Sequence, residues 1–155
     1  LYGGLMKTTQ GVKVIEFNAR FGDPETEVVL PLLESDAYDV FYGIATGANS
    51  QSPIANSPLQ WRNEATIGVV LASKGYPGSY AKGAVIEGTE LFDGPIFHMG
   101  TKNDNGVLKT NGGRVMMCIA TGKDITTARE KVYKEIEKIH CDNLFYRKDI
   151  AHWAL

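Results

Sequence analysis

The alternation of apolar and polar residues predicts a strand hairpin at the start of the chain. Residues 12–18 are rich in β-branched and aromatic side chains, and residues 1–6 precede them across the polar turn 7–11. Because successive side chains of a strand point to opposite faces, Glu16 and Asn18 share one face, with Cα atoms roughly 6.6 Å apart. The hairpin therefore presents a carboxylate and a side-chain amide next to each other.

Helices and further strands are predicted after this hairpin. Residues 23–33 indicate a short helix that Pro31 kinks or ends, and residues 35–47 indicate a second helix with Ser35 as its N-cap. Strands are predicted over residues 65–72, 96–101, 107–110 and 113–121, and an amphipathic helix over residues 124–140. The part after residue 60 is therefore predicted as a set of strands with one long helix.

A change in composition near residue 50 indicates a domain boundary. Residues 47–60 are rich in Gly, Ala, Asn, Ser and Pro, which is typical of a linker. We predict a first domain over residues 1–50, a linker over 51–62 and a second domain over 63–155. A chain of 155 residues is long enough for one domain or two small ones.

Composition excludes several classes of partner. The net charge of −2 gives no basic surface, so we expect no nucleic acid as a partner. The longest apolar runs fall short of the roughly 18 residues that cross a bilayer, so we expect no membrane partner and a cytoplasmic location. The two cysteines, Cys118 and Cys141, are too far apart to form a metal or redox motif, and Cys118 is predicted to be a buried free thiol.

Glu16, Asn18 and Arg20 are candidates for a metal-nucleotide site. Mg²⁺ prefers hard oxygen ligands and is usually held by one or two carboxylates together with phosphate oxygens of a substrate. Arg20 continues the alternation of the strand, and its permanently charged guanidinium could bind a phosphate on the same face. From spacing alone, a solvated or cross-strand ion pair is the more common arrangement of Glu and Arg on one face.

Two further segments carry candidate binding chemistry. Asp23 precedes Pro24 and fits the N-cap of the short helix; it also fits a substrate contact, and the two roles are compatible. Gly112 and Gly113 allow close backbone approach and positive φ, which exposes amide N–H groups to an anion, and Arg114 can bind a phosphate with two nitrogens. By itself, such a segment is more often a hairpin turn with an exposed arginine.

Two other features have a structural interpretation that we favour over a ligand contact. The sequence KGYPG at residues 74–78 is typical of a turn that reverses the chain. His98 lies within a predicted strand without a second histidine at metal-ligand spacing, so a core or hydrogen-bonded role is expected.

Five blocks carry a resemblance to a known family. Residues 14–33, with the sequence VIEFNARFGDPETEVVLPLL, closely resemble the C-terminal part of glycinamide ribonucleotide synthetases, the phosphoribosylamine–glycine ligases of the ATP-grasp superfamily. The resemblance continues in GVVLASKGYPG at 68–78, FHMGT at 97–101, TNGGRV at 110–115 and YRKDI at 146–150. The blocks occur in the family's order and cover nearly the whole chain.

The resemblance implies an activity and its reactants. Members of this family ligate glycine to 5-phosphoribosylamine with ATP, through a glycyl phosphate, and give glycinamide ribonucleotide, ADP and phosphate in purine biosynthesis. The resemblance implies Glu16 and Asn18 as ligands of Mg²⁺ or Mn²⁺ and places Arg20 near the transferring phosphate. Chemistry of this kind depends on positioning and charge neutralisation.

The resemblance also implies substrate contacts. Asp23 matches the position where glycine is expected, and Gly112, Gly113 and Arg114 are expected to bind the 5-phosphate of phosphoribosylamine. Met6 could supply an apolar floor for the adenine of ATP, although an ordinary core methionine is an equal alternative.

The fold implied is α+β: the C-terminal part of an ATP-grasp subdomain, followed by a small barrel-like domain of the barrel-sandwich hybrid type. The glycine-rich loop and lysines that cover ATP phosphates in the family have no counterpart in the sequence, so we expect a fragment that is inactive alone. Its expected partners are ATP, glycine, 5-phosphoribosylamine and the remainder of the same enzyme. The alternatives are a structural or ligand-binding module without turnover, or another ATP-grasp ligase.

Overall fold

The predicted hairpin is present at the start of the chain. A computed structural model describes residues 1–47 and 59–155, and in it β1 (Tyr2–Thr8) pairs antiparallel with β2 (Gly11–Asn18). The register shifts once: Gly4 pairs with Glu16 but Leu5 pairs with Val14, so β2 has one extra residue at this point. Such a bulge breaks the strict alternation of side chains along β2.

Two short helices follow, and their caps differ from the sequence prediction. The first, α1 (Thr26–Val29), continues into a 3₁₀ turn over Leu30–Leu32, and α2 spans Ala37–Ala45. Asp36 caps α2, because its carboxylate accepts hydrogen bonds from the N–H groups of Tyr38 and Asp39. The prediction of Ser35 as the cap is wrong, since its hydroxyl instead accepts from the Gln60 N–H at 2.9 Å.

The second half of the chain contains the main sheet. Its strands are antiparallel and lie in the order β4–β7–β3–β8, and a separate hairpin joins β5 to β6. The strands span Ala65–Ser73 (β3), Ile96–His98 (β4), Thr101–Asp104 (β5), Val107–Thr110 (β6), Arg114–Gly122 (β7) and Leu144–Phe145 (β8). The predicted strands are therefore confirmed, except that the one over 96–101 divides into two.

The core lies between this sheet and one helix. The helix α3 (Ile125–Ile136) is capped by Asp124 and packs against β7 and β3 through Ala128, Val132 and Ile136. All buried apolar side chains of the described residues fall between positions 67 and 136. The predicted α+β class is confirmed as antiparallel sheets with few helices, and the barrel-like closure stays a prediction.

No described helix has both the length and the apolar character that crossing a membrane would require.

The predicted linker over 51–62 lies mostly outside the described residues, which resume at residue 59. Its last residues bond to the segment before α2: Glu34 N–H donates to the Gln60 carbonyl at 2.9 Å, and Arg62 N–H donates to the Leu32 carbonyl at 2.8 Å. These bonds attach the end of the predicted linker to the chain before it.

Candidate functional site

The structure brings Glu16 and Asn18 together on one face of the hairpin. The Asn18 Nδ2 group donates a hydrogen bond to Glu16 Oε1 at 2.9 Å. Glu16 is exposed and Asn18 is half-buried, so an ion in solution can reach both side chains. The bulge lies before Glu16 in β2, and the two residues after it keep the alternation that places them on one face.

The donor set of this pair fits a hard divalent cation. A carboxylate and a side-chain amide supply oxygen atoms, and turning the Asn18 amide over would point its oxygen to the side of Glu16. Among residues 1–47 and 59–155, no three His, Cys, Asp or Glu side chains are placed to hold a metal ion together. A cation at this pair would therefore need further oxygen ligands from a bound nucleotide or water.

Arg20 lies just beyond β2 and not in the strand. Its Nη1 group donates to the neighbouring Phe21 carbonyl at 2.7 Å, and it forms no ion pair within the described part of the chain. The simple ion pair between Glu16 and Arg20 is thus not formed. Arg20 and Tyr2 line a cleft of about 330 Å³. The pKa of the Tyr2 hydroxyl is raised, chiefly by its hydrogen bond with the Glu25 carboxylate.

Met6 is accessible and is not a core residue. It is 55% exposed. It lies two residues after Gly4 in β1, and Gly4 is the cross-strand partner of Glu16. Strand alternation therefore places Met6 on the same face of the hairpin as Glu16. An apolar side chain is present beside the acid–amide pair.

Asp23 and Arg114 meet at a second cleft. Arg114 donates from both Nη1 and Nη2 to the two carboxylate oxygens of Asp23, each at 2.9 Å. The interpretation of Asp23 as a helix cap is wrong, because α1 begins at Thr26 after Glu25 and its N-cap has no side-chain hydrogen bond. The carboxylate is held by the arginine of the predicted anion site instead.

Gly112 and Gly113 allow a close approach of neighbouring groups. A Cβ on Gly113 would lie 2.2 Å from the Tyr76 ring, and one on Gly112 would lie 3.0 Å from the Gly100 Cα. The expectation of positive φ is wrong, since neither glycine is among the positive-φ residues. Their N–H groups donate no hydrogen bond within the described residues, and both glycines line the second cleft, Gly112 half-buried and Gly113 buried.

The second cleft has a volume of about 430 Å³ and combines donors with acceptors. Its lining residues are Asp23, Glu27, Tyr76, His98, Met99, Gly112, Gly113 and Arg114. The pKa of Arg114 is raised, first by the hydrogen bond to Asp23, with smaller contributions from Tyr76 and Glu27. One carboxylate oxygen of Glu27 is buried without a partner in the described structure. A ligand with both an anionic group and hydrogen-bond donors would suit this lining.

Two residues of this cleft are ones for which the sequence predicts a structural role. Tyr76 belongs to the turn expected only to reverse the chain, yet its side chain lines the cleft. His98 lines the cleft as well, although its Nδ1 also forms the expected hydrogen bond, to Thr101 Oγ1 at 3.0 Å. The signal that could have found both residues is their place in two of the blocks that carry the family resemblance, GVVLASKGYPG and FHMGT.

Comparison with known proteins first gives the class. Residues 1–26 match the family model described as phosphoribosylglycinamide synthetase, ATP-grasp (A) domain, so the hairpin and the acid–amide pair are of the ATP-grasp class. Residues 66–153 match the model described as phosphoribosylglycinamide synthetase, C domain, which is more than half of the chain. The chain therefore belongs to the phosphoribosylglycinamide synthetase family.

Individual proteins agree with this assignment. A phosphoribosylamine–glycine ligase of Halalkalibacterium halodurans is 49% identical over 157 residues, with 100% of this chain and 35% of that protein aligned. A trifunctional purine biosynthetic protein adenosine-3 of Gallus gallus is 42% identical, with 15% of its length aligned. The crystal structure of phosphoribosylamine–glycine ligase from Thermotoga maritima matches with a TM-score of 0.78 and 36% identity, over 96% of this chain and 36% of that one. The chain spans about a third of the length of the ligases that it matches.

Proposed function

We propose that the chain is part of an enzyme that ligates glycine to 5-phosphoribosylamine with ATP. The products are glycinamide ribonucleotide, ADP and phosphate, formed through a glycyl phosphate in purine biosynthesis in the cytoplasm. The observation that carries the proposal is the acid–amide pair of Glu16 and Asn18 on an exposed hairpin face, in a chain of this family. The names of the relatives support the same reaction.

Glu16 and Asn18 would hold Mg²⁺ or Mn²⁺ together with oxygens of the nucleotide. When bound, the metal would neutralise charge on the phosphates of ATP and orient them. Arg20 is the nearby permanent cation, and releasing its bond to the Phe21 carbonyl would free the guanidinium for a transferring phosphate. Met6 would offer an apolar surface to the adenine.

The second cleft would take the phosphoribosylamine. Arg114 and the free amides of Gly112 and Gly113 would bind the 5-phosphate, since a guanidinium and backbone N–H groups are strong donors to phosphate. Asp23 would accept from the ammonium group of glycine. Because Asp23 and Arg114 bind each other in the absence of substrates, each must give up or share that bond when its substrate arrives.

The domain arrangement forms part of this proposal. Residues 1–50 would complete the ATP-grasp subdomain, 51–62 would link it, and 63–155 would form the small barrel-like domain. The matched ranges 1–26 and 66–153 fall within the first and last of these segments and support the division.

Substituting Arg114 tests the substrate cleft. In a full-length family enzyme that carries this sequence, Arg114→Ala should raise the KM for phosphoribosylamine by at least about tenfold and leave the KM for ATP unchanged. The matched control is Arg62→Ala, which removes an exposed arginine that does not line the cleft. An unchanged KM for phosphoribosylamine would remove the phosphate-binding role.

The second candidate function, that of a ligand-binding module without catalytic turnover, applies to the 155-residue chain by itself. Glu16 and Arg20 are exposed to solvent, whereas phosphoryl transfer needs a site that excludes water. We expect the purified chain to form no ADP from ATP, glycine and phosphoribosylamine. Measurable product would show that these residues suffice for catalysis.

A further inference from the structure

Tyr76 is fixed against the backbone of the anion-binding segment. Its ring lies where a Cβ on Gly113 would be, 2.2 Å from the Tyr76 Cδ2 atom, so only glycine at 113 leaves room for it. Ser73 ties the two segments together: its Oγ donates to the Gly112 carbonyl and its N–H donates to the Gly113 carbonyl, both at 2.8 Å. The Tyr76 N–H in turn donates to the Ser73 carbonyl at 3.0 Å. The ring is therefore held in a defined place beside Gly112 and Gly113.

The hydroxyl of Tyr76 is free to bind a ligand. Tyr76 is 39% exposed and lines the cleft together with Arg114. Tyr76 is also one of the groups that raise the pKa of Arg114, although its contribution is smaller than that of Asp23. Within the described residues the hydroxyl forms no hydrogen bond, although the ring contacts Tyr80 edge to face at 6.2 Å. A residue whose hydroxyl has no partner in the described part of the chain thus lines the same cleft as Arg114.

The charge of the cleft explains why a further donor is needed. Asp23 and Glu27 line the same cleft, and Asp23 already occupies both terminal nitrogens of Arg114. Two carboxylates oppose the entry of a phosphate, and one paired guanidinium offsets them only in part. Neutral donors, such as a hydroxyl and two backbone amides, can bind phosphate oxygens without a second cation.

We propose that Tyr76 is a substrate-contacting residue of this cleft, whose hydroxyl donates a hydrogen bond to the 5-phosphate of phosphoribosylamine. The inference rests on the proposed function of the cleft and adds a residue to it. The ring keeps Gly112 and Gly113 in place, and the hydroxyl completes a set of donors from Arg114 and the two amides. Tyr76 then determines the preference for a phosphorylated sugar over a free one.

The test is Tyr76→Phe in a full-length family enzyme, which keeps the ring and removes only the hydroxyl. With phosphoribosylamine formed in the assay from ribose 5-phosphate and ammonia, its KM should rise about tenfold, because a hydrogen bond to a charged group is lost. The kcat and the KM values for ATP and glycine should stay unchanged. The matched control is Tyr80→Phe, which removes the hydroxyl of the adjacent tyrosine that does not line the cleft and should change nothing.

A direct binding measurement separates the phosphate from the sugar. Calorimetric titration of the same enzyme should show that Tyr76→Phe weakens ribose 5-phosphate binding about tenfold and does not alter any weaker binding of ribose. If Arg114→Ala raises the KM for phosphoribosylamine and Tyr76→Phe does not, the inference for Tyr76 is overturned while the cleft keeps its function. If neither variant changes that KM, the proposed function of the cleft fails, and the inference fails with it.

Discussion

Asp23 and Arg114 stand 91 residues apart in the sequence, yet they form a two-point ion pair with both N···O distances at 2.9 Å. Asp23 follows the hairpin that carries Glu16 and Asn18, while Arg114 is the first residue of β7. The pair therefore connects the segment with the proposed metal ligands to the cleft with the proposed phosphate site. Both partners are themselves proposed to bind substrates.

This ion pair should contribute little to stability. The side chains of Arg114 and Asp23 remain 36% and 43% exposed, and exposed pairs are worth about 1 kcal/mol or less. Arg114→Ala should therefore lower the free energy of unfolding of the chain by no more than about 1 kcal/mol, measured by urea denaturation.

A suitable comparison is Arg129→Ala. Arg129 donates to the carbonyls of Ile150 and Lys148 and so ties the end of the chain to α3. We expect this variant to be less stable than Arg114→Ala, because it leaves two backbone acceptors unpaired. A larger loss in Arg114→Ala would show that the ion pair with Asp23 has a main role in stability.

Replacing the proposed metal ligand should remove activity without unfolding the protein. In the full-length enzyme, Glu16→Gln should lower kcat by at least about 100-fold, since the variant keeps the shape of the side chain but loses its charge. Thermal unfolding should stay unchanged because Glu16 is exposed. Glu34→Gln, at another exposed glutamate, serves as the control, and a wild-type rate of Glu16→Gln at saturating Mg²⁺ would refute the metal role.

The strands and the acid–amide pair were predictable because both follow from local patterns. Alternation along β2 is enough to place Glu16 and Asn18 on one face, and the apolar run that becomes β7 requires burial. The cap of α2 was not predictable, since Ser35 and Asp36 both carry a suitable oxygen and the choice depends on which one binds the Gln60 N–H. Local sequence does not contain that information.

The second cleft was predictable only in part. The sequence TNGGR indicates an anion site, but the position of Asp23 beside Arg114 depends on how the hairpin segment packs against β7. The role of Gly113 likewise depends on the Tyr76 ring, 37 positions earlier, and not on a positive φ. Contacts between distant segments arise from tertiary packing, which a single sequence shows only through resemblance.

The free energy of unfolding of the chain should decrease in acid because the Glu135 carboxylate becomes protonated. Its Oε2 accepts from the Lys138 ammonium group and from the Asp93 N–H, and these bonds, the one from Lys138 first, lower its pKa below the ordinary 4.5. A lowered carboxylate pKa adds stability above the unfolded value and loses it as pH falls through the folded value. We therefore expect the contribution of Glu135 to be complete at neutral pH and to be lost progressively as pH falls below 4.5 and through the lowered pKa of the folded state.

Urea unfolding of Glu135→Gln at several pH values checks this expectation. The variant should be less stable than the parent chain at neutral pH, and the difference should shrink in acid, where the parent loses its ionised Glu135. Glu137→Gln changes an exposed glutamate two positions later and should follow the parent curve. A stability difference that persists unchanged in acid would mean that packing, and not ionisation, explains the effect of Glu135.

The two cysteines should differ sharply in reactivity. Cys118 lies in the middle of β7 with no exposed surface, and burial raises the pKa of its thiol to about 12. At pH 8 roughly one Cys118 thiol in ten thousand is ionised, and a reagent cannot reach it while the sheet is folded. Cys141 is half-buried after α3, so a chromogenic disulfide reagent should modify one thiol in the folded chain and a second one only in denaturant. Cys141→Ser should abolish the fast reaction, whereas Cys118→Ala should keep it. Rapid modification of both thiols in the folded parent chain would show that β7 opens easily. The core around Cys118 would then be less stable than its burial indicates.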